Sequence, residues 1–547
     1  MPGRRQHRQA GGKHASDGTA KGRGESQVRG GASGPGHLPP VTRTGSSSCR
    51  LEDLKRLQNK RRLYCSWNHT VLIDVARFNR GGGIAPHIGR RHLDGDVVEM
   101  PNSPSSFVES DDKKQREKRW QVISEQLTSL TFQREATVSD LQGAIFTYNR
   151  RQQQLWTFKT LSSFVQRNPH CLTQLFPKIA ALALSLPERL NAAVPLLRRG
   201  SSASITLSQM QVAALLANAF YCTFPDRSSN PPSARYRDLP SINFNSLFGD
   251  GPERKTEKLR AIMQYFSVVT DPVTQPEGLV TFERRCLRDE DLPDWRSCTQ
   301  TLSRLHVSSL GSIEAEGVGL LQVDFASCWV GGGVLGSGLL QEEILFLLSP
   351  ELIVARLFTE RLEDLECLIV TGCEQFSHHD GYGDSFRWAG PHQDQVLRDD
   401  WCRRHRKIVA IDALNYGKRQ DQFTMESITR ELNKAFCGFK ASRYDRYDEP
   451  DIATGKWGCG AFNGDAQLKA LIQLMAAAVA KRNLAFFTFG DQQLQQQLEE
   501  VYHLLVLERV TVGSLAAMLE EFCSSYHATM TLFDFIKTDR RYRHSQL

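Results

Sequence analysis

Apolar residues recur at helical spacing through the first half of the chain. After about residue 302 they gather into short runs that alternate with helical stretches. Between residues 113 and 223, Trp120, Ile123 and Leu127 open one amphipathic pattern and Leu141, Ala144 and Ile145 a second. Trp156, Phe158, Leu161 and Phe164 follow, residues 179–186 are compact and apolar, and Ser208 stands as N-cap before Val212, Leu215, Leu216, Ala219 and Phe220. This predicts an all-helical domain over 113–225. A turn-rich connector over 226–301 comes next, with a helix near 258–268 and a strand at 279–282. In the 302–540 region the spacing predicts strands at 320–326, 367–371, 408–414 and 484–489. Helices are expected at 339–348, 352–365, 427–439, 466–482, 494–506 and 512–526. Such alternation argues for a mixed or mainly parallel sheet covered on both faces. Ligands then bind beyond the carboxyl ends of the strands, where the loops at Gly331, 372–382 and Asp491 fall.

The start of the chain reads differently. Residues 1–50 are rich in Gly, Ser, Arg and Pro with little to bury, a composition that predicts a disordered tail. Residues 51–63 read as a short basic helix, with Leu51, Leu54, Leu57 and Leu63 opposite Lys55, Arg56, Lys60, Arg61 and Arg62. Residues 64–112 complete a linker. The tail holds nine Lys/Arg against two Asp/Glu, so the formal charge of +7 resides there and the remaining chain balances at 59 of each sign. The tail is either a solvated end or an arm for nuclear import or nucleic-acid contact. The thirteen cysteines are scattered without a C-x-x-C pair, which argues against a disulfide framework and for an intracellular protein. No apolar run reaches the length of a membrane span.

The stretch richest in chemistry is Gly331-Gly332-Gly333-Val334-Leu335-Gly336-Ser337-Gly338, set between the strand at 320–326 and a helix beginning with two carboxylates, Glu342 and Glu343. A triple glycine before a helix N-terminus brings backbone N–H groups close to an anion. The neighbours of Glu343 one turn away are Leu339, Leu340, Phe346 and Leu347. Burial on so apolar a face is expected to raise its pKa toward that of a usable proton donor. Glu342 lies about 100° around the helix. Gly331-x-Gly333-x-x-Gly336 also satisfies the dinucleotide fingerprint of an oxidoreductase, yet two acids early in the helix are unhelpful to a bound pyrophosphate. The Ser349-Pro350 pair suits the start of a further helix. His378-His379-Asp380 lacks the spacing of a helical zinc pair.

Gly331 to Gly333, seven residues, then Gln341-Glu342-Glu343 resembles the signature of the poly(ADP-ribose) glycohydrolase family. Val323 to Ala326 (VDFA), TGCEQFSHHDGYGDSFRW from Thr371, ATGKWGCGAF from Ala453 and FFTFGD from Phe486 fall in family order, over roughly residues 115–535. The resemblance implies a macrodomain-like three-layer α/β/α catalytic domain behind a helical accessory domain. It implies hydrolysis of ribose–ribose O-glycosidic bonds to release ADP-ribose, with Glu343 as general acid/base. Glu342 would hold sugar hydroxyls and Asp324 would help orient the ligand. Gly331, Gly332, Gly333 and Gln341 would complete the loop. Tyr382 and Phe489 would face the adenine, Ile313 and Glu314 would read its edge, and Gly458, Gly460 and Phe462 would close over the diphosphate and distal ribose. Ser327 stands where asparagine is expected, and Lys456 where asparagine is common. No metal or cofactor is implied, and the expected protein is a monomer of nucleus and cytoplasm, acting in the DNA damage response. A non-catalytic reader of the same polymer is the alternative.

Overall fold

The computed structural model describes residues 49–55, 62–87, 97–109, 116–133, 136–227, 236–441, 449–525 and 530–538. The basic tail through residue 48, and Arg56, Leu57, Lys60 and Arg61 of the expected basic helix, lie outside them. Of that helix a 3₁₀ turn, Leu51–Leu54, is described.

β-branched and apolar residues favour the extended backbone through most of the strands. Among the described residues they are β1 (His69–Val71), β2 (Phe107–Glu109), β3 (Arg116–Lys118), β4 (Ala203–Ser208), β5 (Leu279–Cys286), β6 (Leu305–Ser308) and β7 (Leu321–Ala326). The remainder are β8 (Glu366–Thr371), β9 (Ser377–Asp380), β10 (Arg387–Pro391), β11 (Lys407–Asp412), β12 (Ile452–Gly455) and β13 (Leu484–Phe487). Nine of them make one sheet in the order β1-β4-β5-β8-β11-β7-β12-β13-β6. From β6 to β11 the pairing is parallel, which requires crossovers. The helices Met425–Phe439 and Ala466–Val479 supply two of them. β8 is antiparallel to both its neighbours, β5 is antiparallel to β4, and β1 is parallel to β4. β9 and β10 form a separate hairpin.

The sheet separates two cores, as the period-two alternation of strand side chains requires. Leu368 and Val370 of β8, with Ile408 and Ala410 of β11, join the cluster of the helical first half. Cys367, Ile369, Val409 and Ile411 join the cluster beneath the C-terminal helices. This is a three-layer arrangement with helices on both faces. The region expected to be helical also contributes β4 to the sheet, and β5, four residues longer than its sequence signal, lies beside β8. Arg284 of β5 is fully buried. It pairs with Glu366 of β8 and donates to the carbonyls of Glu360 and Arg361.

Several expected elements are altered. The helix expected at 352–365 is a 3₁₀ turn, Pro350–Val354, followed by a short helix, Ala355–Phe358. It stops there because Phe358 O and Glu360 N pair with the backbone of Leu197. Pro350 does open the turn, but Ser349 provides no side-chain cap. The last sheet strand ends at Phe487 rather than 489, and Phe489 adopts a left-handed φ of 52°. β6 and β12, four residues each, are too short for a periodic signal.

Both margins of the sheet are met by the beginning of the described chain. Cys49 N donates to Leu305 O of β6 at 3.4 Å, and His306 Nδ1 lies 3.0 Å from Cys49 O. Residues 69–71 are the opposite outer strand, β1. A depression of about 360 Å³, lined by Lys55, Gly319, Leu320, Arg404 and Lys407 among others, lies where β7 and β11 begin. Among the described residues no helix is long and apolar enough to cross a membrane.

Arg284→Met leaves the Glu366 carboxylate buried without its cation. The variant should lose about 3–5 kcal/mol of unfolding free energy, read from urea denaturation. A loss below about 1 kcal/mol would show that the β5–β8 seam does not depend on this pair.

Candidate active site

β7 ends at Ala326, and the chain then forms the glycine loop before entering the helix Gln341–Leu348. The loop and helix N-terminus therefore stand at the carboxyl end of the parallel strands. Glu342 and Glu343, in the first helical turn, are both buried. Each is held by two backbone N–H groups. Glu342 Oε1 accepts from Gly331 N at 2.6 Å and Oε2 from Ser327 N at 2.9 Å. Glu343 Oε1 accepts from Gly333 N and Oε2 from Leu340 N, both at 2.8 Å. The second of these is the return half of an N-terminal cap.

The expectation that the triple glycine offers its N–H groups to a bound anion is therefore corrected. Gly331 N and Gly333 N serve the protein's own carboxylates, and Gly332 N donates to Trp329 O at 2.9 Å. The glycines are needed for backbone reasons. Gly331 and Gly332 have φ of 85° and 43°, and a Cβ on Gly332 would lie 2.5 Å from Glu343 Oε1 and 2.7 Å from Glu342 Oε2. The carboxylates occupy the space that any side chain would fill. The same geometry disfavours the dinucleotide fingerprint, whose glycine N–H groups must remain open to a pyrophosphate.

Two buried cations tie down the outer side of the loop. Lys258, on the helix Arg254–Val269, donates to the carbonyls of Gly333, Val334 and Gly336 at 3.1, 3.1 and 2.9 Å, occupying all three ammonium protons. Burial lowers its pKa to about 7, against the opposing pull of Glu343. Arg356 donates from Nη1 to Val330 O at 2.9 Å and Gly332 O at 3.0 Å. Neither residue was singled out from sequence. The available signal was a lysine on the apolar stripe with Ile262 and Phe266, and a lone arginine inside Leu352 to Phe358.

Asp324 lies on β7, fully buried, with neither carboxyl oxygen hydrogen-bonded. Burial raises its pKa well above the ordinary value, and the charges of Glu343 and Glu314 add to the effect. Glu342 is likewise raised well above its ordinary range, by burial first and then by Asp324. The apolar face expected around Glu343 is partly realised: Leu339, Phe346 and Leu347 are buried, whereas Leu340 is 54 % exposed. Burial favours the protonated form of both Asp324 and Glu342. The cluster therefore combines carboxyl groups that retain protons with N–H donors that steady carboxylates, a composition suited to proton transfer.

Gln341 joins this cluster to its neighbours. Its Oε1 accepts from Phe325 N at 2.8 Å, and its Nε2 donates to Glu314 Oε1 at 3.0 Å. Glu314 Oε2 is buried without a partner. Ile313 directs its side chain into a small core with Leu320 and Phe487, and its carbonyl accepts from Gln322 Nε2. Phe489 meets Phe325 edge to face at 6.5 Å. A bulky residue with positive φ marks a constrained position. Ser327 uses its N–H on Glu342, and its Oγ accepts from Trp329 N.

Tyr382 lies between β9 and β10, 42 % exposed, and Gly383 N donates to Leu339 O at 2.9 Å. This bond ties the tyrosine hairpin to the entry of the helix Gln341–Leu348. Burial raises the Tyr382 pKa, with Glu314 contributing. The loop with Gly458, Gly460 and Phe462 leaves the same end of the sheet from β12, next to β7. Gly458 needs its φ of 73°, and a Cβ there would meet that of Ala413 at 2.6 Å. Phe462 packs on the C-terminal core. Lys456 Nζ lies 3.7 Å from Asp491 Oδ2. His378 Nε2 lies 3.1 Å from His392 Nδ1, and no group of three potential metal ligands forms among the described residues.

Comparison with known proteins agrees with this layout. Residues 165–284 match the family description "Poly (ADP-ribose) glycohydrolase (PARG), helical domain", and residues 292–496 match "Poly (ADP-ribose) glycohydrolase (PARG), Macro domain fold". Poly(ADP-ribose) glycohydrolase 1 of Arabidopsis thaliana is 32% identical over 433 residues, covering 64% of this chain and 77% of the relative. Probable poly(ADP-ribose) glycohydrolase 2 of the same plant is 30% identical over 428 residues, 66% of this chain and 80% of the relative. Poly(ADP-ribose) glycohydrolase 1 of Caenorhabditis elegans is 33% identical over 401 residues, 70% and 48% respectively.

The unfolded chain loses the Asp324 proton near pH 3.8, whereas the folded chain retains it to higher pH. Unfolding therefore releases a proton above about pH 4, and this contribution to stability declines as pH rises. Asp324→Asn is neutral at every pH. It should gain on the parent between pH 4 and 7.5, by up to roughly 1.4 kcal/mol per pH unit. Parallel urea-stability curves across that range would show Asp324 to be ionised in the fold.

Proposed function

The chain belongs to the poly(ADP-ribose) glycohydrolase family, and on that premise we propose that Glu343 is the proton donor and acceptor for cleavage of its substrate. The protein is a glycosidase acting on poly(ADP-ribose). The bond that breaks joins the anomeric carbon of one ribose to a hydroxyl oxygen of the next. A proton passes from the Glu343 carboxyl to that oxygen as the bond lengthens, and positive charge builds on the anomeric carbon. Water then attacks the carbon and returns a proton to Glu343, releasing ADP-ribose. Proton transfer of this kind contributes roughly 10²–10⁴-fold to rate, and the remainder depends on positioning.

The observation that supports these roles is the pair of buried glutamates at the carboxyl end of β7, held by the glycine loop. In this reading Glu342 grips ribose hydroxyls, and Asp324, retaining its proton, donates a hydrogen bond toward the ligand. Gln341 and Glu314 form the edge that reads adenine, with Tyr382 and Phe489 covering its faces. Phe462, with Gly458 and Gly460, shapes the distal ribose and diphosphate region. Lys456 stands at the rim beside Asp491, where a phosphate would draw it away. Action as a monomer in nucleus and cytoplasm, within the response to DNA damage, belongs to the same proposal. The basic tail then serves import or nucleic-acid contact. The buried cysteines Cys171, Cys222, Cys367, Cys373 and Cys437 are all thiols, which suits a reducing compartment.

Glu343→Gln preserves the shape of the side chain and removes its titration. It should bind ADP-ribose within about threefold of the parent, and release of ADP-ribose from labelled polymer should fall at least about 100-fold. Undiminished turnover would reassign the proton donor. Polymer binding without turnover in the parent itself would favour the non-catalytic reader.

A further inference from the structure

Resting on the assignment of Glu342 and Glu343 as the working carboxyl groups, we propose that Arg356 is a positioning residue for both. One guanidinium nitrogen acts on the two through separate peptide planes. Arg356 is buried in the short helix Ala355–Phe358, and its Nε is anchored on Ser241 O at 2.8 Å. Its Nη1 donates to the carbonyls of Val330 and Gly332 at 2.9 and 3.0 Å.

A trans peptide presents its C=O and the following N–H in opposite directions. The peptide that gives Val330 O to Arg356 therefore presents Gly331 N–H on its other side, and that N–H donates to Glu342 Oε1 at 2.6 Å. The peptide that gives Gly332 O to Arg356 presents Gly333 N–H, which donates to Glu343 Oε1 at 2.8 Å. The two chains of hydrogen bonds diverge from one nitrogen and end on the two glutamates. Bonds in such chains polarise one another, so the arginine strengthens both N–H donors while orienting both peptide planes. It touches no reacting atom.

The alternating use of the loop explains why residues 330–333 present carbonyls to one side and N–H groups to the other. Two left-handed glycines achieve this turn within three residues. Burial lowers the Arg356 pKa to about 10, with Glu342 and Glu343 opposing the fall. The side chain is thus cationic throughout the neutral range. Lys258, by contrast, holds carbonyls farther along the loop, at Gly333, Val334 and Gly336.

The test compares the full-length parent, R356Q, R356K and E343Q on labelled poly(ADP-ribose), with ADP-ribose binding and thermal unfolding measured for each. R356Q should lose about 100-fold in kcat, while its ADP-ribose Kd stays within about threefold. Its weaker N–H donors favour the ionised carboxylates less, so the alkaline limb of the kcat/KM profile, where the Glu343 proton donor is lost, should move to higher pH. R356K keeps the charge without the guanidinium fork and should fall between the two. A folded R356Q with parental kcat and an unmoved alkaline limb overturns the inference. Should R356Q fail to fold, an R356K profile superimposable on the parent overturns it instead. An inactive parent would refute the functional assignment, whereas an active parent with indifferent Arg356 variants would refute the positioning role alone.

Discussion

Burying two sequence-adjacent glutamates beside an aspartate is the constraint around which this molecule is arranged. Desolvation and mutual repulsion both oppose it. Four backbone N–H groups, from Ser327, Gly331, Gly333 and Leu340, oppose those costs, and the helix N-terminus adds partial positive charge. The loop must therefore turn its N–H groups inward, which leaves its carbonyls facing outward into protein. Arg356 and Lys258 satisfy them there. The helix Arg254–Val269 and the short helix after Pro350 meet the loop through these two side chains.

The tyrosine hairpin is joined to the same arrangement from two sides. Trp388 N of β10 donates to Glu257 Oε2 at 3.0 Å, one residue before Lys258, and Gly383 N reaches Leu339 O at the entry of the helix Gln341–Leu348. The helix that restrains the glycine loop therefore also restrains the surface carrying Tyr382. The glycine loop and the tyrosine hairpin share one foundation, although more than a hundred residues separate its helix from the hairpin.

The strand–loop–helix unit was legible in the sequence because three signals coincide: a six-residue apolar strand, glycines that tolerate positive φ, and acids at a helix start. Gln341, Glu342, Glu343, Asp324 and Glu314 are accordingly found linked around one point. The direction of each N–H was not legible, since glycine permits either orientation, and the loop turned out to hold the chain's own carboxylates. Arg356 and Lys258 escaped notice because charged residues on apolar stripes ordinarily extend to solvent along their stems. Leu340 departs from the apolar pattern because it is the N-cap, where the chain enters the helix and its side chain faces outward. Ile313, beside Glu314, has its side chain in a core with Leu320 and Phe487. The break after Phe358 depended on Leu197, a distant pairing that local periodicity does not contain.

The contacts of residues 49 and 69–71 with the two outermost strands have a practical meaning for where this chain can be shortened. The matched family regions begin at residue 165, yet a fragment starting there would expose β4 along one border and remove the Cys49 contact from β6 along the other. Uncovered strand borders recruit other chains. The smallest well-behaved version of the enzyme is therefore set by those borders rather than by the limits of the recognisable family regions, and its start lies more than a hundred residues upstream of them.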